Sequence, residues 1–423
     1  MNTAKIKQYF HSHGIIPRNT LILYAAHIIS ALISLVFFGV LARYLGIVNF
    51  GLFSYVYAFM TVGQTVGAFG LDMLMIREIS GDIKNAMFIT GNTVILKIVF
   101  SVITLLFAFL VILFLPAEPL TKKILLLFSP YILLSNINLT LWYIGDGYQK
   151  MEYRGFFTIA YYCCRTVGGW FVLKYLPGMT ALFVFLLSIE LFFLILSFLF
   201  TRLCFGKIKL EFRKEVLKRI VYLSFPFAVS SILLIFLLRM DILLLNALKG
   251  EVAVGFYSPA QKLVGMILLF SNAFCGAAYP AMSQSSRITT DRGYGIFVRA
   301  VKLVFFAGVL FAFLTTLIAE PLIRIIFGSE YILSIKVLKI MVWMCPSFFA
   351  ASLFWVLFAV KNFQHLTTIV CSCGIIVSFG LNFYLIKKMS YLGSALAMVL
   401  FSFFLLIFSL VIYYEKRNEL FNL

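Results

Sequence analysis

Acidic residues are scarce: Asp and Glu number 16 in a chain of 423 residues, against 35 Lys and Arg. Charged residues make up only 12%, where soluble domains carry about 25%. Hydrophobic residues reach 63%, more apolar side chain than a soluble core can hide. Lipid is therefore the solvent for most of the chain, and a string of soluble domains is excluded. Histidine is also rare, with four residues. The seven cysteines, at 163, 164, 204, 275, 345, 371 and 373, show no structural-zinc spacing. They read as buried thiols acting as small hydrophobes, so neither a metal site nor a disulfide framework is expected. Also missing are a Walker loop, a dinucleotide loop and any nucleophile–base–acid set. The chain is read as a non-enzyme without a cofactor, and ATP bound by it cannot be its energy source.

What is present is a strong positive balance, a formal net charge of +19. A nucleic-acid binder would add a soluble basic domain, an arginine-rich arm or a stacking platform; none is present, so no nucleic-acid partner is expected. The balance fits cytoplasmic loops rich in Lys and Arg, facing anionic lipid headgroups. A basic cavity for an anionic substrate is compatible with it.

About twelve apolar runs follow one another from 19–43 and 48–72 to 365–386 and 391–414, each near the ~20 residues that span hydrocarbon. The first exceeds a signal-peptide core and lacks a small-residue cleavage pattern, so it reads as an uncleaved membrane helix. The lengths, and the lack of sustained alternation, predict helices and not a barrel. Loops on the side of the termini carry more Lys and Arg than the opposite loops. The densest cluster is Arg202, Lys207, Lys209, Arg213, Lys214, Lys218 and Arg219. The positive-inside rule then places both termini in the cytoplasm. Loops are too short for an extramembrane catalytic domain.

One internal repeat is visible. Gly46-Ile-Val-Asn-Phe-Gly51-Leu-Phe53-Ser54 aligns with Gly250-Glu-Val-Ala-Val-Gly255-Phe-Tyr257-Ser258 at an offset of about 204 residues, close to half the chain. Glycine in each copy would permit a tight turn, and an aromatic would anchor at the membrane interface. The repeat predicts an all-α membrane protein of two parallel six-helix bundles, 1–205 and 206–423, around a central cleft.

Five further segments carry a family resemblance. Leu41-Ala-Arg43-Tyr-Leu-Gly46 with Gly51-Leu-Phe-Ser54 resembles the first hairpin of Wzx-type O-antigen and capsule flippases. These belong to the multidrug/oligosaccharidyl-lipid/polysaccharide exporter superfamily. Gly70-Leu-Asp72-Met-Leu-Met-Ile-Arg77-Glu78 resembles the end of their second span. Arg239-Met-Asp241 and Val254-Gly-Phe-Tyr-Ser258-Pro-Ala260-Gln-Lys262 resemble their seventh-to-eighth hairpin. Pro321-Leu-Ile-Arg324-Ile-Ile-Phe327-Gly328 resembles the loop after span nine, and Leu381-Asn382 with Leu392-Gly393-Ser394-Ala395 the last hairpin. The resemblance implies translocation of a polyprenyl-diphosphate-linked oligosaccharide from the inner to the outer leaflet of the bacterial cytoplasmic (inner) membrane. Implied partners are that lipid-linked glycan, membrane lipids, and a polysaccharide polymerase with its chain-length regulator. The resemblance also implies transport roles for Arg239, Asp241 and Lys262.

Independently of the resemblance, charges inside helices are the residues to examine. A central cation costs about 2.5–3.5 kcal/mol on insertion scales, so it faces a cavity, a partner or the interface. Arg165, mid-way along the fifth run, and Lys262, in the eighth, are candidates for an anion-binding cavity. Lys97 is either a cavity residue or a lysine snorkelling to the interface. Arg239 and Asp241 lie two apart, so each would pair across helices, Asp241 with Lys262 for instance. Glu190 is a candidate for proton coupling, with a structural hydrogen bond or a pair with Arg165 as the alternatives. Asp72, Arg77 and Glu78 form either a cytoplasmic gate or an interfacial network. Arg43 reads as an interface anchor. Pro226, Pro259, Pro280 and Pro346 would bend helices, and Trp142, Tyr161 and Tyr162 are candidates to stack on sugars.

The leading function is an alternating-access flippase. A drug or organic-cation antiporter on the same fold, a polytopic enzyme of polysaccharide assembly and an assembly scaffold are the alternatives.

Overall fold

Every regular element among the described residues of this computed structural model is helical; residues 3–115, 117–176, 178–285, 290–361 and 363–421 are described. The helices are α1 Thr3–Ala68, α2 Leu71–Gly81, α3 Ala86–Phe114, α4 Pro119–Phe128, α5 Tyr131–Gly147, α6 Met151–Tyr175 and α7 Met179–Cys204. They continue with α8 Lys214–Ser285, α9 Thr290–Leu317, α10 Ala319–Ile326, α11 Ile332–Met341, α12 Met344–Val360 and α13 Gln364–Phe421. Among the described residues eight segments are long and apolar enough to cross a membrane, or nine with the bent pair Ser329–Met341 and Met344–Val360.

Three of these segments are too long for one crossing. Ile22–Ala68, Lys214–Gly276 and His365–Lys416 hold 47, 63 and 52 residues. Each contains one non-helical residue: Gly46 (φ 68°), Gly250 (φ 77°) and Ser390 (φ 52°). The chain folds back at each. Residues 38 and 53 would stand about 22 Å apart on a straight helix, yet their rings are 6.0 Å apart. Asp241 and Tyr257, sixteen positions apart, are hydrogen-bonded at 2.5 Å. The Ser394 hydroxyl reaches the Asn382 amide oxygen at 3.1 Å. The turns at Gly46 and Gly250 are where the repeat predicts them, and glycine fills them because a side chain at positive φ is strained. Counted as hairpins, the three segments would bring the total to twelve, a count carried forward as part of the proposal below.

The second glycine of the repeat has a different task. A Cβ on Gly51 would lie 1.9 Å from the Glu251 carbonyl oxygen, and one on Gly255 would lie 2.2 Å from that of Ile47. The two hairpin tips thus cross with their backbones touching, which only residues without a side chain allow. The aromatics of the repeat are not interface anchors. Phe53 and Tyr257 are fully buried, Phe53 stacked on Tyr57.

Prolines act less than expected. The non-helical residue inside α8 is Gly250, while helix continues through Pro226, Pro259 and Pro280. Pro346 does sit beside a bend, the 45° break between α11 and α12. It has no N–H for the Val342 carbonyl, and a Cβ on Gly308 of α9 would lie 2.6 Å from its Cα. The cysteines also depart from expectation. All seven are free, and only Cys345 and Cys371 are buried; Cys163, Cys164 and Cys204 are exposed. On a membrane helix an outward position is as apolar as the core, so exposure there costs a thiol nothing.

Packing divides the chain into two units, Met1–Phe37 with Phe59–Ile232, and Phe38–Ala58 with Leu233–Leu423. The first unit has a core of Met75, Ile79, Leu141, Trp142, Phe157 and Phe193, from α2, α5, α6 and α7. In the second, Phe297, Phe354 and Tyr413 join α9, α12 and α13 in an aromatic triangle with sides of 5.1–5.6 Å. These units describe packing, whereas the halves 1–205 and 206–423 describe a duplication of the chain. The duplication remains a proposal.

Candidate functional site

In the first unit, α2 begins after Gly70, whose φ of 65° only glycine adopts freely. Asp72 therefore sits in the first turn, where the helix dipole favours a carboxylate. Lys97 of α3, fully buried, grips both of its oxygens at 2.7 and 2.8 Å. The Lys97 ammonium also donates to the Asn136 carbonyl at 3.1 Å, and the Asn136 amide to the Ser101 hydroxyl at 3.0 Å. A Cβ on Gly67 would come within 2.9 Å of that amide, so glycine there makes room for the cluster. Lys97 does not snorkel. It and Asp72, given separate roles by sequence, form one ion pair, buried at the lysine and part-exposed at the carboxylate. Arg77 and Glu78 go elsewhere: Arg77 is exposed and meets Glu78 at 3.5 Å, a contact of a kind worth little.

A second cluster joins α5, α6 and α7. Glu190 is buried. It accepts from the Tyr161 hydroxyl at 2.6 Å and from the Asn138 amide at 2.8 Å. Arg165 reaches it electrostatically, and the guanidinium of Arg165 lies 4.4 Å from the centre of the Phe37 ring. Of the sequence alternatives for Glu190, the structural hydrogen bond is present; for the pair with Arg165 the structure shows an electrostatic effect. Trp142 and Tyr161 are buried. Trp142 donates to the Ser197 hydroxyl at 2.7 Å, and both rings pack edge-on against Phe193. They are core, with no face open for a sugar.

Sequence reasoning missed one pair. Asp146, at the end of α5, and Arg154, at the start of α6, bond at 2.6 Å, with Arg154 4.9 Å over the Tyr143 ring. A signal was available. An acid in a last turn and a base in a first turn each oppose their own helix dipole, and the short turn between them lets each correct the other.

In the second unit the fold-back at Gly250 brings Asp241 against Tyr257 and Gln261, which share a helix face at i and i+4. Asp241 is buried and accepts from Tyr257 at 2.5 Å, from Gln261 at 2.8 Å and from the Ile242 amide at 2.8 Å. Arg239 acts on it electrostatically. The expected Asp241–Lys262 pair is not formed, because these neutral donors fill the carboxylate. The Lys262 ammonium instead lies 3.8 Å from the Phe38 ring centre and 5.6 Å from that of Tyr57. Arg43 is no simple anchor: it donates to the carbonyls of Ile325 and Ile326 at the end of α10, capping that helix. The Tyr331 hydroxyl donates to the Ala42 carbonyl beside it.

In each unit a cation lies against an aromatic face: Arg165 against Phe37 in the first, Lys262 against Phe38 in the second. Such contacts return about 0.5–2 kcal/mol each. The guanidinium fork suits a phosphate bidentately and the ammonium supplies a point charge.

A family model described as polysaccharide biosynthesis protein matches residues 16–286. No curated protein shows sequence similarity to the chain. Among solved structures, the chain is similar to the lipid II flippase MurJ in an inward closed conformation. The TM-score is 0.70 at 16% identity, covering 93% of this chain and 87% of that one. An inward-facing multidrug resistance MATE family transporter of the MOP superfamily gives 0.67 at 13% identity, covering 92% and 94%. A MOP superfamily transporter from Pyrococcus furiosus, described as having a binding pocket of reverse polarity, gives 0.57 at 14%, covering 95% of each chain. At these identities the likeness is one of fold.

Proposed function

The chain belongs to the polysaccharide biosynthesis protein family, and from that premise we propose that it is a flippase for a polyprenyl-diphosphate-linked oligosaccharide. It moves the head of that lipid from the cytoplasmic to the outer leaflet by alternating access. The family match over residues 16–286 carries the reading, and Arg165, buried within α6, and Lys262, each within its own unit, are its candidate phosphate contacts. A cation inside a membrane helix is costly, and an anionic headgroup is the ligand class that such side chains suit. Lys97 is left out of that anion site, since Asp72 holds it; the pair fixes the start of α2 instead. Glu190 is the candidate for proton coupling. The basic linker between α7 and α8 puts both termini in the cytoplasm. With each of the three long segments taken as a hairpin, the candidate spans among the described residues would amount to the twelve crossings of this reading. The flipped product then passes to a polymerase, and the chain itself makes no covalent bond.

A second reading, an organic-cation antiporter, draws on the buried carboxylates Asp241 and Glu190. Donors already occupy both, which favours the first reading.

The test is movement of a fluorescent polyprenyl-diphosphate oligosaccharide between leaflets of reconstituted liposomes. Arg165→Ala and Lys262→Ala should each slow it about tenfold, the loss of one charge-assisted contact. Glu190→Gln should leave movement but erase its response to a proton gradient. Wild-type rates in the double alanine variant would remove the anion site, and uptake of a lipophilic cation in place of the glycan would favour the antiporter.

A further inference from the structure

The first unit carries an apolar groove that the transport reading leaves unused. Its volume is about 400 Å³, and its walls come from α3 (Val94), α5 (Ile137, Leu141) and α7 (Leu194, Phe198). At one end the linker between α7 and α8 contributes Ile208 and Leu210. This linker is seated and not loose. The Lys209 amide donates to the Met87 carbonyl at 3.2 Å. A Cβ on Gly91 would lie 2.0 Å from the Lys209 carbonyl oxygen, so the linker lies directly on the first turns of α3. Arg213 adds a contact over the Phe88 ring at 5.3 Å.

The charge at that end is one-sided. Lys207 and Lys209 are exposed and flank Ile208; Lys214 and Lys218 follow, also exposed. Glu211 is taken up by Arg213 at 2.8 Å. The groove itself is lined by apolar side chains only, and Phe198, Leu199 and Leu210 along it are exposed. An apolar slot that ends at a basic edge matches an amphiphile with a long hydrocarbon chain and an anionic head.

We propose that this groove between α3, α5 and α7, with Lys207 and Lys209 at its mouth, is a docking site for a polyprenyl diphosphate. The isoprenoid chain lies against Val94, Ile137, Leu194 and Phe198, and the diphosphate lies on the two lysines. The proposal rests on the transport reading for the identity of the occupant. A diphosphate brings more negative charge than a single phosphodiester, so this edge favours it over the surrounding phospholipid. The site holds the lipid on the cytoplasmic side, on the outer face of one unit and apart from Arg165. It would raise the local concentration of substrate before transport.

The experiment uses the full-length protein in nanodiscs and a long-chain polyprenyl diphosphate with a diazirine in its chain, with labelled residues located by mass spectrometry. Labelling is expected on α7 between residues 194 and 199. It should persist in excess phosphatidylglycerol and yield to unlabelled polyprenyl diphosphate. Lys207→Glu with Lys209→Glu, two exposed changes that leave the helices intact, should reduce it at least tenfold, from about 1 kcal/mol per surface cation. Leu194→Trp should block it by filling the slot. Equal competition by phosphatidylglycerol, labelling indifferent to the lysines, or no label on α7 would each overturn the proposal. The transport reading fails separately. Label on α7 in a protein that moves no glycan would keep the groove and remove the flippase; movement without label would do the reverse.

Discussion

The charges inside the helices of this chain differ in the contacts they make. Lys97 meets a carboxylate, Arg165 and Lys262 lie over rings, and Glu190 and Asp241 accept from neutral donors. The first kind makes a sharp energetic prediction. Removing one member of a buried pair leaves an uncompensated charge and costs about 3–5 kcal/mol, whereas replacing both with apolar residues is close to neutral. Lys97→Met should therefore strongly lower the unfolding midpoint in detergent, and Lys97→Met with Asp72→Leu should recover most of the loss. A double variant no more stable than the single one would show that Asp72 has a further partner to satisfy. The pairing itself was not legible in the sequence. Positions 72 and 97 lie on different helices, and no periodicity connects them; sequence marked both as charges out of place and could go no further. The same holds for Asp241, whose partners depend on a fold-back sixteen residues long. Asp146 and Arg154 were within reach, since each opposes its helix dipole.

At the scale of elements, composition and run length sufficed for helices, and the repeat sufficed for two turns. It did not separate the duties of the glycines. Gly46 and Gly250 serve the backbone angle; Gly51 and Gly255 serve the contact between hairpin tips. Gly255→Ala should thus lower stability by more than the 1–3 kcal/mol typical of overpacking, because the obstacle is a backbone carbonyl that cannot rotate away. Gly265, in the same helix with open space around its Cα, is the control. Its change to alanine should be neutral or slightly stabilising, alanine being the better helix former. Equal effects at 255 and 265, read by thermal unfolding, would mean the tips are looser than their geometry. The aromatics beside these glycines misled for a related reason. Phe53 and Tyr257 have the residue types of an interface belt, and only the crossing of the tips reveals that the position is interior.

At the scale of the molecule, the prediction is one of sidedness. In a cysteine-free background, Glu118→Cys lies in a turn between candidate spans that the proposed topology puts opposite the termini, and Lys214→Cys lies at the start of α8, beside the basic linker. A membrane-impermeant maleimide should label position 118 in intact cells and position 214 only after permeabilisation. The opposite pattern would invert the orientation drawn from the Lys and Arg bias. Fold class was legible at this scale because lipid leaves few architectures open. The packing units were not, because periodicity reports which face of a helix is apolar and not which neighbour covers it.

The tip of the first hairpin, residues 38–58, packs with the second unit, where Gly51 meets Glu251 and Gly255. The gene can therefore not be recombined freely at its midpoint. A chimera joining the first half of one relative to the second half of another would set a foreign tip against a resident one across a gap of atomic width. Exchange of halves between strains would succeed only where both tips keep glycine at the crossing. Diversification of this protein is then expected to proceed by substitutions within the units more readily than by shuffling them.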